Sequence, residues 1–169
     1  GLADEAQALA WRATTQALQQ HGAKVFAQLM HAGALSQGNP FRDHTVGPSA
    51  VQPCGEQMGF YYGEGRYSVP RALNDNEIAE VVQGFVDSAI RAVRIGGFDG
   101  IEIHGANGYL LDQFLTAHTN LRQDRWGGSI EARVGLLVEI IGAVKAEIGD
   151  EVPVGIRISQ GKVNDFGHK

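Results

Sequence analysis

Three short apolar runs, AKVFAQLM (23–30), FDGIEI (98–103) and PVGIRIS (153–159), each follow a segment with helical periodicity. The first run is too continuously apolar for a sheet with one wet face and suits a parallel strand buried on both sides. Helix–strand, repeated three times, implies right-handed crossovers and a parallel sheet. A doubly wound sheet fits this alternation as well as a barrel does. No G-x-G-x-x-G fingerprint sits at a strand–helix turn to favour the dinucleotide-binding version.

The helix boundaries carry their own signals. Asp4 with Gln7 three residues later forms a capping box for a helix reaching Gln20, and Gly22 closes it. Asn74 and Glu77 open a second helix, with Ile78, Val81/Val82, Phe85/Val86, Ala89/Ile90 and Val93 along its apolar stripe and Gly96-Gly97 at its end. Ser129 caps a third, which buries Leu136/Leu137, Ile140/Ile141 and Val144 and stops at Gly149. Residues 31–74 form a long irregular connection. Connections beyond about 15 residues are functional or disordered, and the aromatic run Phe60-Tyr61-Tyr62 argues for a folded loop. Residues 105–128 read as a second loop.

Composition excludes several classes of function. A net charge of −5 gives no basic footprint for nucleic acid. No apolar run reaches the length of a membrane span, and no basic-then-apolar leader opens the chain. Cys54 is the only cysteine, which excludes an internal disulfide and an all-cysteine metal or cluster site in this stretch. A cytoplasmic location is the default expectation. An eight-stranded α/β barrel needs about 250 residues, whereas this chain has 169. The expectation is therefore one partial domain over 1–169, internal to a longer enzyme; the alternative is a complete small α/β domain.

Chemistry gathers where the second strand stops. His104 ends FDGIEI, and Asn107 and Tyr109 follow at offsets of three and five. Polar groups at the C-terminal ends of parallel strands are where α/β enzymes place their sites. His104 and Asn107 can donate hydrogen bonds to one carbonyl oxygen, and the Tyr109 phenol can deliver a proton. Gln28 interrupts the first strand and Arg157 the third. A buried amide needs partners and a buried guanidinium needs an anion. From the residues alone, Gln28 reads as a core amide or as a donor–acceptor for a heterocycle edge. Arg157 reads as a salt bridge to a carboxylate such as Glu102 or as a cation facing a ligand. His31 braces its loop or approaches substrate. Arg122, Asp124, Arg125 and Arg133 flank Trp126-Gly127-Gly128 as an ion-pair network fixing a turn.

HGANGYLLDQFL with TNLRQDRWGGSIEAR, the upstream FAQLMHAGALS and the downstream VPVGIRIS together resemble the Old Yellow Enzyme family of flavin-dependent ene-reductases. The resemblance covers nearly the whole chain. It implies part of a TIM (β/α)8 barrel, about strands 3 to 5, with three parallel strands each preceded by a helix. It also implies FMN as cofactor, NAD(P)H as reductant, and reduction of the C=C bond of α,β-unsaturated carbonyl compounds. In this reading Gln28 bonds the pyrimidine side of FMN and Arg157 stabilises the reduced flavin near N1 and O2. His104 and Asn107 bind the substrate oxygen, with His104 also near the cofactor. Hydride comes from flavin N5, and Tyr109 supplies the proton. Met30 lines the substrate wall where many members carry tryptophan. Ala34 and Ala132 also depart from the family pattern, at positions that do not touch this chemistry. The implied partners are a small-molecule enone and, in some assemblies, further copies of the same chain; neither nucleic acid nor membrane is implied. Two other readings stand beside it: a truncated, non-catalytic relic of the barrel, and a metal-dependent barrel hydrolase using His31 and His104.

Overall fold

The computed structural model describes residues 1–160. In chain order it has α1 (Glu5–Gln20), β1 (Phe26–Leu29), a 3-10 turn at Gly33–Leu35, β2 (Val46–Gly47) and β3 (Arg71–Ala72). Next come α2 (Asp75–Ile90) with a π turn at Arg91–Ile95, β4 (Gly100–Gly105), α3 (Leu110–Leu115), α4 (Ile130–Ile148) and β5 (Val154–Ile158). β1, β4 and β5 form one sheet in that order, and β1 pairs parallel with β4, Gln28 opposite Glu102 and Leu29 opposite Ile103. The adjacency and the helix-before-strand order are those the sequence implies.

The residues gather into two compact units. The first comprises Gly1–Leu29, Asn76–Ile103 and Val138–Arg157. Its α1 starts where the Asp4 carboxylate accepts the Gln7 backbone N–H at 2.8 Å. The reciprocal bond of the capping box is displaced by one residue, because the Gln7 amide oxygen takes the N–H of Ala3. Polar bonds then dock α1 on the turn before β4. Thr15 is fully buried and its hydroxyl donates to the carbonyl of Gly96 at 2.7 Å. Gln19 donates to the carbonyl of Gly97 and to Asp99. The bond from Gln19 to Asp99, followed by one from Lys24, holds the Asp99 carboxyl down at about 2, so it stays an ionised anchor at the start of β4.

Alternation along the sheet separates two faces. Ala27, Leu29, Ile101 and Ile103 are buried, in a core that also holds Ile78, Phe85, Val86 and Ala89 of α2 and Ile140 and Val144 of α4. On the other face Phe26 is 47% exposed and Gln28 is exposed. This corrects the expectation that the first strand is buried on both sides. Gly100 is dictated by that face: a Cβ there would lie 2.3 Å from the Phe26 ring.

The second unit comprises Met30–Asp75, His104–Leu137 and, among the described residues, 158–160. Its loop after β1 is folded, as expected, but not around the aromatic run. Phe60 is 79% and Tyr62 80% exposed. Tyr67 is the anchor instead, packed with Ala34 and Leu35 and flanked by Val51 and Tyr109. β2 and β3 pair parallel within this loop. The turn after α3 is held by the residues the sequence singled out, but only Arg122 and Asp124 form an ion pair among the described residues. Arg133 donates to the carbonyls of Leu115 and Gly128, so the expected ion-pair network is largely one of backbone and ring contacts. Arg122 pairs with Asp124 and donates to the carbonyls of Pro48 and Leu73. Arg125 lies 4.0 Å over the Trp126 ring, and the indole N–H reaches Asp75. The Ser129 hydroxyl accepts the N–H of Ala132 to start α4.

Candidate active site

The C-terminal end of β4 presents its polar groups on a rigid turn in the second unit. His104 is 4% exposed, and its ring meets that of Tyr109 at 5.5 Å between centroids, tilted by 54°. Between them Asn107 adopts φ +58, the one non-glycine residue with positive φ among those described, and Gly108 follows at φ +80. Asparagine tolerates that region better than most residues, and a strained conformation persists only where its surroundings impose it. Here the surroundings are explicit. The N–H of Asn107 donates to the Ser159 hydroxyl at 3.0 Å. The N–H of Gly108 donates to the Asp112 carboxylate at 2.7 Å. The Gln113 amide donates to the carbonyl of Gly108 at 2.7 Å and accepts the N–H of Ala34 at 3.2 Å.

Sequence reading missed α3 and these clamps. Asp112 and Gln113 are 2% and 1% exposed, though the sequence pattern places them in the loop 105–128. The available signal was their presence inside the apolar run LLDQFL, where an unpaired polar group would be costly.

The β1 loop is tied to the same turn, since the N–H of Leu110 donates to the carbonyl of His31 at 2.9 Å. His31 Nδ1 accepts the N–H of Gly33 at 3.0 Å. That is the bracing role, and it leaves the ring proton on Nε2. Burial, followed by the charge of Arg42, lowers its pKa to about 4, so the ring is neutral at physiological pH. Met30 beside it is 49% exposed.

Gln28 and Arg157 belong to the first unit, and both are exposed, which corrects the expectation of a buried amide and a buried guanidinium. The Gln28 amide nitrogen donates to the Glu102 carboxylate. The alternative salt bridge from Arg157 to Glu102 does not form: among the described residues Arg157 has no carboxylate partner. No group of three or more His, Cys, Asp or Glu among the described residues is placed to hold a metal. No helix there is long and apolar enough to cross a membrane.

A family model described as the NADH:flavin oxidoreductase / NADH oxidase family matches residues 1–168. The chain belongs to that family. An NADH oxidase of Thermoanaerobacter brockii is 40% identical over 154 residues, covering 90% of this chain and 22% of the relative. A putative 12-oxophytodienoate reductase 6 of Oryza sativa subsp. japonica is 43% identical over 155 residues, covering 89% and 37%. Among solved structures, an old yellow enzyme homologue from Zymomonas mobilis superposes with a TM-score of 0.90 at 38% identity, over 98% of this chain and 46% of that one. Morphinone reductase in complex with tetrahydroNAD gives 0.87 at 36% identity, over 100% and 48%. The chain thus spans less than half the length of each of these NADH:flavin oxidoreductase relatives. Its three-stranded sheet is part of a (β/α)8 barrel.

The donor set of this family member fits a flavin on its own chemistry. With its nitrogen engaged by Glu102, Gln28 keeps a carbonyl oxygen to accept an imide N–H. Arg157, exposed on β5, presents a guanidinium, the type of charge that suits the electron-rich edge of a reduced isoalloxazine.

Proposed function

We propose that the whole protein is an FMN-dependent oxidoreductase that reduces the C=C bond of α,β-unsaturated carbonyl compounds with NAD(P)H. The observation that carries this reading is the ring contact of His104 with Tyr109 across a left-handed Asn107, which Ser159 holds by its N–H and whose neighbour Gly108 is gripped by Asp112 and Gln113. Family membership supports the cofactor. Bound FMN would supply the hydride delivered to the substrate β-carbon.

The residues of this chain then divide the remaining work. Gln28 and Arg157 hold and polarise the cofactor from the exposed side of the sheet. His104 and the Asn107 amide donate to the substrate carbonyl oxygen, which draws electron density from the β-carbon and stabilises charge building on that oxygen. Tyr109 protonates the α-carbon. Packing against Ala34, Leu35 and Tyr67 restrains its ring, which keeps the phenol in one place for that transfer. Met30 shapes the adjoining wall.

The test is Tyr109→Phe in the full-length enzyme, followed by stopped flow. Flavin reduction by the nicotinamide should survive, and the enone step should slow by roughly 10²–10⁴, as expected for a lost general acid. In deuterated water the α-position should carry solvent deuterium. Wild-type enone reduction in the variant would mean that another group supplies the proton.

A further inference from the structure

A cavity of about 330 Å³ lies in the loop that follows β1, wholly inside the second unit. Its apolar walls include Met30, Phe41 and Val46, and its polar groups include His31, Arg42 and Thr45. Among the described residues no acidic side chain lines it. A volume of this order suits a small organic molecule.

Three groups lining the cavity are donors in search of an acceptor. The Arg42 guanidinium has no carboxylate partner among the described residues, because the neighbouring Asp43 carboxylate is taken by His44 at 2.7 Å. The Thr45 hydroxyl is buried and has no hydrogen-bond partner there, which is unusual because buried hydroxyls are nearly always satisfied. His31 accepts from Gly33 through Nδ1, so its Nε2 bears the hydrogen. A guanidinium, a hydroxyl and an imidazole N–H with no competing carboxylate among the described residues make an anion site, and a planar guanidinium matches a carboxylate in particular. The bond from Leu110 N–H to the His31 carbonyl joins this wall to the residue after Tyr109.

We propose that this cavity binds a carboxylate carried by the substrate, so that the enzyme prefers unsaturated carbonyl compounds bearing an acid group, with Arg42 and Thr45 as the binding residues. The proposal rests on the reading of the protein as an enone reductase.

The experiment compares trans-4-oxo-2-pentenoate with its methyl ester in the full-length flavoprotein, and adds calorimetric binding of 4-oxopentanoate, which has no C=C bond to reduce. Wild type should favour the acid over the ester in kcat/KM. Arg42→Gln should raise KM for the acid at least ~10-fold more than for the ester, as expected for a lost charged hydrogen bond. Thr45→Val should act in the same direction by a few-fold. 4-Oxopentanoate should bind more weakly to Arg42→Gln by a similar factor. Equal effects on acid and ester, no binding of 4-oxopentanoate, or an effect confined to KM for NAD(P)H would overturn the proposal; the last would assign the anion site to the reductant. Arg42-dependent binding of 4-oxopentanoate by a protein that reduces neither enone would refute the reductase reading and leave the carboxylate site standing.

Discussion

Replacing Gln113 by leucine tests whether the turn bearing Asn107 and Tyr109 is held by the side chain that sequence reading overlooked. Gln113 is 1% exposed and connects two loops: its amide donates to Gly108 at 2.7 Å and, more weakly, to Ala32 at 3.4 Å, and it accepts from Ala34 at 3.2 Å. Leucine keeps most of the volume but strands the Ala34 N–H and the Gly108 carbonyl away from water. Each such group costs about 1–3 kcal/mol, and the added apolar burial returns part of it. A net loss of roughly 2–4 kcal/mol is expected, read by urea denaturation of the full-length protein. The local readout is amide exchange at Ala34. A local destabilisation of about 2 kcal/mol accelerates it ~30-fold where exchange proceeds through local opening. Gln113→Glu separates the two bonds: its carboxylate still accepts from Ala34 but cannot donate to Gly108. It should leave Ala34 protected while slowing enone reduction. Unchanged Ala34 exchange in Gln113→Leu, with a stability loss under about 1 kcal/mol, would refute the clamp.

Two further perturbations follow from the geometry. A Cβ at Gly127 would lie 2.3 Å from the carbonyl oxygen of Arg122, so Gly127→Ala must move backbone and should cost about 1–3 kcal/mol. By contrast Gly142, inside α4 with open space around it, should gain up to about 1 kcal/mol as alanine. Both are read from denaturation midpoints, and a stabilised Gly127→Ala would contradict the turn described here. His31 sets an acid limit. Its folded pKa of about 4 lies below the ordinary 6.5, so the unfolded chain binds the proton more readily. Stability should therefore fall as pH drops from about 6.5 to about 4, by at most about 3 kcal/mol, and level off below. His31→Gln should flatten that slope.

The parts of the fold legible in the sequence are those whose signals are local. Asp4, Gly22 and Ser129 mark helix ends through bonds to backbone groups a few residues away, and they appear where read. The π turn at Arg91–Ile95 was not legible, because the apolar stripe of α2 runs into it without a break. β1 misled in an instructive way. Phe26, Gln28 and Met30 look like a strand wrapped in protein, yet all three are exposed here. The inner face of a (β/α)8 barrel is filled by side chains from strands around the barrel, and three strands do not supply that layer. The composition of β1 thus records burial within a whole barrel, and the same reasoning accounts for Arg157 on β5.

The site divides along the same line. His104, Asn107 and Tyr109, the proposed chemical groups, could be singled out in the sequence because donors clustered after an apolar strand have few structural uses. Asp112 and Gln113 were not, since polar residues in a short helix ordinarily face water, and only the fold reveals that they turn inward to grip Gly108. Nor did the sequence distinguish Arg42 and Thr45 from other polar residues of a long loop. Their significance depends on a missing carboxylate and an unmatched hydroxyl, which are properties of the surroundings and not of the residues. Groups that do chemistry have a recognisable type, whereas groups that hold them in place or select a ligand are defined by what lies next to them. The clamp at Gln113 and the cation at Arg42 therefore fall to the structure to identify, and their substitutions separate the positioning of the turn from the choice of substrate.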